Sequence, residues 1–317
     1  MSLNALVADV GGTNIRLGIA NLDDLSVSQV LQYQCADFDN IDGAIQKYID
    51  DSGASFDLAC IDVATAVTGD LVSLTNNHWE FSQDKLAKTF DLSKLIVIND
   101  FTAIAMSVPS IPEDKKVQVG GKETVENKPI AIYGAGTGLG VAHMVHSGTK
   151  WLPLDGEGGH VDFAPVEEDE IAVLKELQKK YHRVSAEQIL SGLGLVQIYE
   201  SLCAWKGIEA KSYEPADVSK FGIEGSDEVA EQAMRIFCRV LGSFGGNLAL
   251  NLKTYGGVYI AGGIVPRFID YVKQSDFRRR FDDKGRLSRV VVDIPVYIVT
   301  EEQPGLIGCA AYLKQEL

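Results

Sequence analysis

The sequence predicts an α/β protein built from two related halves, and three observations carry that expectation. Apolar runs at 6–10, 57–63 and 95–98 are mostly continuous rather than alternating, which marks strands covered on both faces. Helix-period segments at 42–51 and 82–89 fall between those runs. A unit of strand, glycine turn and strand occurs at 6–20 and again roughly 120 residues later at 130–145, too long a period for a solenoid repeat.

The elements follow in order. Strand 57–63 and strand 95–98 lead to Asn99-Asp100, with a helix-like run from Thr102. Prolines, charges and glycines crowd 107–128, so a domain boundary is placed near residue 110. The second half is richer in helix. Segment 167–182 has acids in its first turn and Lys179-Lys180 in its last, as the helix dipole favours. Ser185-x-x-Gln188 has capping-box form. Segment 226–253 reads as one long helix, with Gly245-Gly246 permitting close packing. A strand at 258–261, a Gly262-Gly263 turn, a helix start near Pro266, a strand at 291–299 and a last helix at 304–316 complete the chain.

Bulk properties exclude several classes. A length of 317 residues implies about two domains. The 46% apolar content supplies a core. A net charge of −15 argues against a nucleic-acid surface and against docking on an anionic membrane. Phosphate binding by so acidic a chain would rest on backbone amides, helix ends and a cation. The longest apolar stretch, 256–265, is about half of the ~20 residues a membrane span needs. The first strand starts almost at once, so no leader is expected. Cys35, Cys60, Cys203, Cys238 and Cys309 read as reduced, mostly core thiols of a cytoplasmic protein, and without a C-x-x-C no zinc is expected.

Chemistry concentrates at four places. In Asp9-Val10-Gly11-Gly12-Thr13-Asn14 the glycines let backbone amides approach a phosphate, Thr13 and Asn14 add donors, and Asp9 suits Mg²⁺ held through water. A tight hairpin would explain the same residues. Four glycines between Gly134 and Gly140, around Gly136-Thr137-Gly138, exceed what a hairpin needs and imply a special backbone. Neither loop is a Walker A or a dinucleotide fingerprint. Asp100, at a strand end, could take a hydroxyl proton; at an ordinary pKa of about 3.9 it would be ionised. Capping of the next helix is the alternative for Asn99-Asp100. Glu157-Gly158-Gly159-His160 and Glu187 could bind several hydroxyls of a polyol, against a plain loop for the first and dipole compensation for Glu187. Glycines 256–257 and 262–263 would leave a flat slot for a base, or would pack a helix on a sheet.

Taken together, DVGGTN (9–14), TNNHWEFS (75–82), INDFTA (98–103), YGAGTGLGVAH (133–143), GEGGHVDFAP (156–165), VSAEQILSG (184–192), GGNLALNL (245–252) and GGVYIAGGIVPRF (256–268) resemble the bacterial glucokinase family of the actin-like ATPase superfamily. They run in family order along nearly the whole chain. The resemblance implies a two-domain actin-like ATPase (ribonuclease H-like) fold with an interdomain cleft. Residues 1–110 with 302–317 would form the small domain and 111–301 the large one. It implies ATP-dependent phosphorylation of the glucose 6-hydroxyl, feeding glycolysis. Asn99, Asp100, Glu157, His160 and Glu187 would bind glucose, with Asp100 as base. Asp9 would lie near Mg²⁺. Gly11, Gly12, Thr13, Asn14, Gly136, Thr137 and Gly138 would hold phosphates, and Gly262-Gly263 the adenosine. It also implies a homodimer. Val67 stands where the family pattern has proline. Asp162-Phe163-Ala164-Pro165 replaces the cysteine-rich zinc loop of the related repressor/kinase branch, again implying no zinc. A repressor would need a basic helix-turn-helix, which the sequence lacks. A structural ATPase would lack the polyol set at 99–100, 157–160 and 187.

Overall fold

The computed structural model describes residues 3–74 and 77–317; Thr75 and Asn76, which open the 75–82 segment, lie outside the described residues. The chain forms two compact units, one of Met1–Glu113, Thr149–Asp155 and Glu301–Leu317, the other of Asp114–Gly148 and Gly156–Thr300.

The first unit is a five-stranded sheet in the order Val27–Gln34, Asn14–Asn21, Asn4–Val10, Leu58–Val63, Lys94–Asn99. The first three strands pair antiparallel and the last three parallel. All six residues of Leu58–Val63 are buried, Asp62 among them, as its mostly apolar run predicts. The two-residue period divides its neighbour: Leu6, Ala8 and Val10 pack with helix Ile41–Ser52, while Ala5 and Val7 pack with Leu306, Cys309, Ala310 and Leu313 of the last helix. That helix, Pro304–Glu316, lies against Asp100–Ser107, with Gly308 set directly against Ala103. A methyl on Gly308 would collide with the Ala103 carbonyl oxygen. Gly308→Ala should therefore lower stability by more than about 2 kcal/mol, although the same change in an exposed helix is stabilising. The denaturation midpoint in urea reads this directly, and an unchanged midpoint would remove the packing argument.

The second unit carries a sheet in the order Leu139–His146, Ile130–Ala135, Val258–Ala261, Val296–Val299, Lys116–Gln118. Its core is the long helix Glu228–Leu252, capped by the Asp227 carboxylate on Val229 and Ala230, with helices Glu168–Gln178, Gly192–Lys206 and Pro215–Glu224 around it. A Cβ at Gly245 would stand 2.6 Å from the Tyr133 hydroxyl of the sheet and one at Gly246 2.4 Å from the Phe281 carbonyl of helix Phe277–Asp282, so the pair permits close packing on two sides. All five cysteines are free and buried. Among the described residues no helix is long and apolar enough to cross a membrane.

Local expectations need four corrections. The helix after Asn99 starts at Asp100, not Thr102. The last strand is only Val296–Val299, because Ser288–Val291 is helical. Helix Glu168–Gln178 stops before Lys179-Lys180. The Ser185–Gln188 capping box is present, but it closes the three-residue 3₁₀ turn Ala186–Gln188. Glu187 therefore has no long helix dipole behind it.

Candidate functional site

In the first unit the candidate groups gather at the carboxyl ends of three parallel strands, the position where open α/β sheets bind ligands. Register pairs Asp9 with Asp62 and Val63 with Asn99. Asn99 caps the next helix: its Oδ1 accepts from the Phe101 and Thr102 amides at 2.9 and 3.3 Å. Its Nδ2 donates to Asp100 Oδ1 at 2.8 Å and to the Thr65 carbonyl at 3.3 Å. The capping alternative is thus realised, and the cap also orients Asp100. The ordinary carboxyl pKa expected for Asp100 is corrected: burial pushes it up to about 6, with the Phe101 amide opposing and the Asp9 charge adding.

Two neighbours of Asp9 were missed in the sequence. Arg16 Nη1 lies 3.2 Å from Asp9 Oδ2. The register Asp9 to Arg16 across the hairpin is what brings them together, and a period-2 reading of 9–16 would have found it. Asp62 is fully buried on the same sheet face as Asp9, where Cys309 Sγ donates to its Oδ2 at 3.4 Å and its Oδ1 has no partner among the described residues. Burial, then the Asp9 charge, pushes its carboxyl well above the usual range. Gly305, in the first turn of the last helix, is the close contact here, since a Cβ would come 2.8 Å from Asp62 Oδ2. The sequence had marked 57–63 simply as a buried strand.

The Gly11–Asn14 turn is a hairpin closed by the Gly11 amide donating to the Asn14 carbonyl at 2.9 Å. That amide is consumed, so Gly11 is not a free phosphate donor. The Gly12 and Thr13 amides have no hydrogen-bond partner among the described residues. The Asn14 side chain accepts from Gln32 and Gln34 at 3.1 and 2.8 Å. Asp9 offers one hard carboxylate with 31% of its side chain exposed, a donor set that fits a Mg²⁺ ion keeping most of its waters. Among the described residues no group of three or more His, Cys, Asp or Glu is arranged to hold a metal.

In the second unit, two glycine turns face each other at the ends of parallel strands Ile130–Ala135 and Val258–Ala261. A Cβ at Gly262 would stand 2.6 Å from the Ala135 carbonyl, and Gly262 has φ 85°. None of Gly134, Gly136, Gly138 and Gly140 has a positive φ; close approach accounts for Gly134, against the Ala261 carbonyl, and for Gly138, against Glu187. Open space surrounds the Cβ positions of Gly136 and Gly263, a cradle that side chains would fill. Gly136 donates to the Gly138 carbonyl at 2.8 Å, and the Thr137 and Gly138 amides have no partner among the described residues. Gly192, the first residue of the 15-residue helix Gly192–Lys206, donates to the Gly136 carbonyl at 3.0 Å. The positive end of that helix therefore adjoins the loop, a feature signalled only by the Ser191 N-cap. At Gly256 the packing alternative has a direct cause, since a Cβ there would collide with the Lys128 carbonyl, and Gly257 has φ 112°.

Glu157 and His160 bracket a single 3₁₀ turn, Gly158–His160, and both are exposed. A Cβ on Gly159 would strike the Leu139 carbonyl, so the glycine pair is what seats this turn on strand Leu139–His146. His160 Nε2 is 4.0 Å from Glu187 Oε1, and Glu187 Oε2 accepts from the Leu139 amide at 2.9 Å. Glu157, His160 and Glu187 thus stand in one neighbourhood, tied by the Ala186 amide donating to the Val161 carbonyl and by the Asp162–Arg183 ion pair. Such a set of acceptors and donors suits a polyol.

The glucokinase family model matches residues 6–316. The chain is 48% identical over 317 residues to a glucokinase of Tolumonas auensis and 46% identical over 317 residues to one of Photorhabdus laumondii, each alignment covering 100% of this chain and 99% of the relative. A crystal structure of a glucokinase from an Antarctic psychrotroph superposes with a TM-score of 0.91 at 34% identity, covering 98% of this chain and 99% of that one. A Balamuthia mandrillaris glucokinase in complex with glucose has the same fold, with a TM-score of 0.81 at 22% identity over 99% of this chain and 94% of that one. The family match over residues 6–316 and the identities of 46–48% along the whole chain identify it as a member of the glucokinase family.

Proposed function

We propose that the chain transfers the γ-phosphoryl group of ATP to the 6-hydroxyl of glucose, with roles distributed as follows. Asp100 takes the hydroxyl proton as the sugar oxygen forms its bond to phosphorus and the bond to the bridging oxygen of ADP breaks. Asn99 holds Asp100 and reaches a sugar hydroxyl by giving up its longer bond to Thr65. Glu157, His160 and Glu187 bind the remaining hydroxyls. The amides of Gly12, Thr13, Thr137 and Gly138 hold phosphates, with Gly136 and the Gly192 helix end beside them, and the open surface at Gly262-Gly263 takes the adenosine. Asp9 holds Mg²⁺ through water, with Arg16 fixing the carboxylate. When bound, Mg²⁺ neutralises phosphate charge. The two compact units act as the small and large domains. A homodimer belongs to the same reading, supported by the family resemblance. So does a cytoplasmic location, supported by five buried free thiols.

The observation that carries the reading is Asp100: a half-buried carboxyl at a strand end, held by its neighbour and poised near neutral pH. A coupled assay for ADP release with ATP, Mg²⁺ and a panel of hexoses tests it. Turnover with glucose is the expected result. Sugar-independent hydrolysis by folded protein would overturn the kinase assignment, and turnover with a different hexose alone would overturn the choice of sugar.

A further inference from the structure

Glycine at 138 is not required by its own backbone, because its φ is not positive. It is required by a side chain 49 positions away in sequence. A Cβ at 138 would stand 2.5 Å from Glu187 Oε2 and 3.3 Å from Glu187 Cδ. Neighbouring Gly136 has no such contact. The Glu187 carboxylate is engaged where it stands. Its Oε2 accepts from the Leu139 amide at 2.9 Å, and its backbone belongs to the turn fixed by the Ser185–Gln188 capping box. Its Oε1 is the oxygen nearest His160, at 4.0 Å.

We propose that Gly138 is a positioning residue for the sugar: its missing side chain lets Glu187 dock on the Leu139 amide and present its second oxygen beside His160. Glucose affinity is then set by a residue of the loop otherwise assigned to phosphate. The proposal rests on Glu187 being a glucose ligand. A methyl at 138 forces the carboxylate off the amide while leaving every backbone donor of the loop in place. The interaction lost is one made with the sugar in ground and transition states alike, so KM moves more than kcat.

The test is steady-state kinetics of Gly138→Ala, Glu187→Asp, the double variant and Glu187→Ala. Gly138→Ala should raise the KM for glucose about tenfold or more and that for ATP less than about threefold. Glu187→Asp withdraws the carboxylate by one methylene, so the double variant should lose less than the product of the two single effects. A rise in the ATP KM with glucose KM unchanged, or strictly multiplicative effects, would overturn the proposal. If Glu187→Ala leaves glucose KM unchanged, the ligand assignment of Glu187 fails; if it raises glucose KM while Gly138→Ala does not, only the positioning role fails. Amide hydrogen exchange covers the case in which Gly138→Ala does not fold. The Leu139 amide should exchange about tenfold faster or more in Glu187→Ala than in the parent chain, and equal rates would overturn the contact.

Discussion

Asp100→Asn is expected to lower kcat by about 10²- to 10⁴-fold while leaving glucose binding within a few-fold, because the amide keeps the shape of the carboxyl but cannot accept a proton. The same substitution is expected to stabilise the fold. Burial raises the Asp100 carboxyl from an ordinary 3.8 to about 6, so the folded protein holds its proton more tightly than the unfolded chain does. The stability this group contributes is complete below the unfolded pKa and is lost as pH rises from about 4 to about 6. Above pH 6 the folded protein carries a partly desolvated carboxylate that asparagine removes. The gain at pH 8 should approach about 3 kcal/mol and vanish near pH 3. For the parent enzyme, kcat/KM should climb with pH through about 6 and then level off, since only the ionised form is a base. Denaturation curves at pH 3 and 8 and a pH–rate profile check all of this. A kcat near that of the parent would remove Asp100 from the base role, and a stability gain independent of pH would refute the burial argument.

Glu170→Ala should be the most destabilising single change in the second unit. Glu170 has no exposed side-chain surface. It accepts from Arg280 at 2.7 and 3.1 Å, from Arg239 at 2.9 Å, and from the Val166 and Glu167 amides at 2.8 and 3.2 Å. Burial pushes its carboxyl up, but these donors prevail and hold it below the usual range. Both guanidiniums are themselves buried. Removing the carboxylate strands two charges in a poorly hydrated interior, which costs about 3–5 kcal/mol. The network should also make this unit acid-labile, because stability held by a depressed carboxyl is present above its unfolded pKa and is lost as pH falls through the folded value. Urea midpoints of Glu170→Ala against the parent at pH 7 measure the effect. A loss under about 1 kcal/mol would mean that the remaining acids, Glu167 and Asp169, suffice to hold the two arginines.

Much of the molecule was legible without coordinates, and the legible parts share one property: their causes are local. The last helix, Pro304–Glu316, is announced by a proline at its start and an apolar face. The cap at Asn99 accepts from amides two and three residues on, within one reading window. Apolar strands, two of them followed by glycine turns, pointed to the strand ends where Asp9, Asp100 and the Gly136 loop stand. The eight motifs in order carried the family, because a long ordered match needs no geometry.

Only tertiary structure decided the rest. Asp62 is acidic in a buried strand, but parallel register sets it beside Asp9 and the last helix seals it in. Asp100 owes its raised pKa to the surroundings that bury it, not to its neighbours in sequence alone. Glu170 reads locally as a first-turn acid and becomes the centre of an ion network only when Arg239 and Arg280 arrive from distant helices. Gly138 looks like a phosphate-loop glycine until Glu187 is packed against it. Spacing along a chain specifies turns, caps and faces, whereas burial, register and pKa depend on which surfaces meet, and those surfaces exist only once the two sheets have formed.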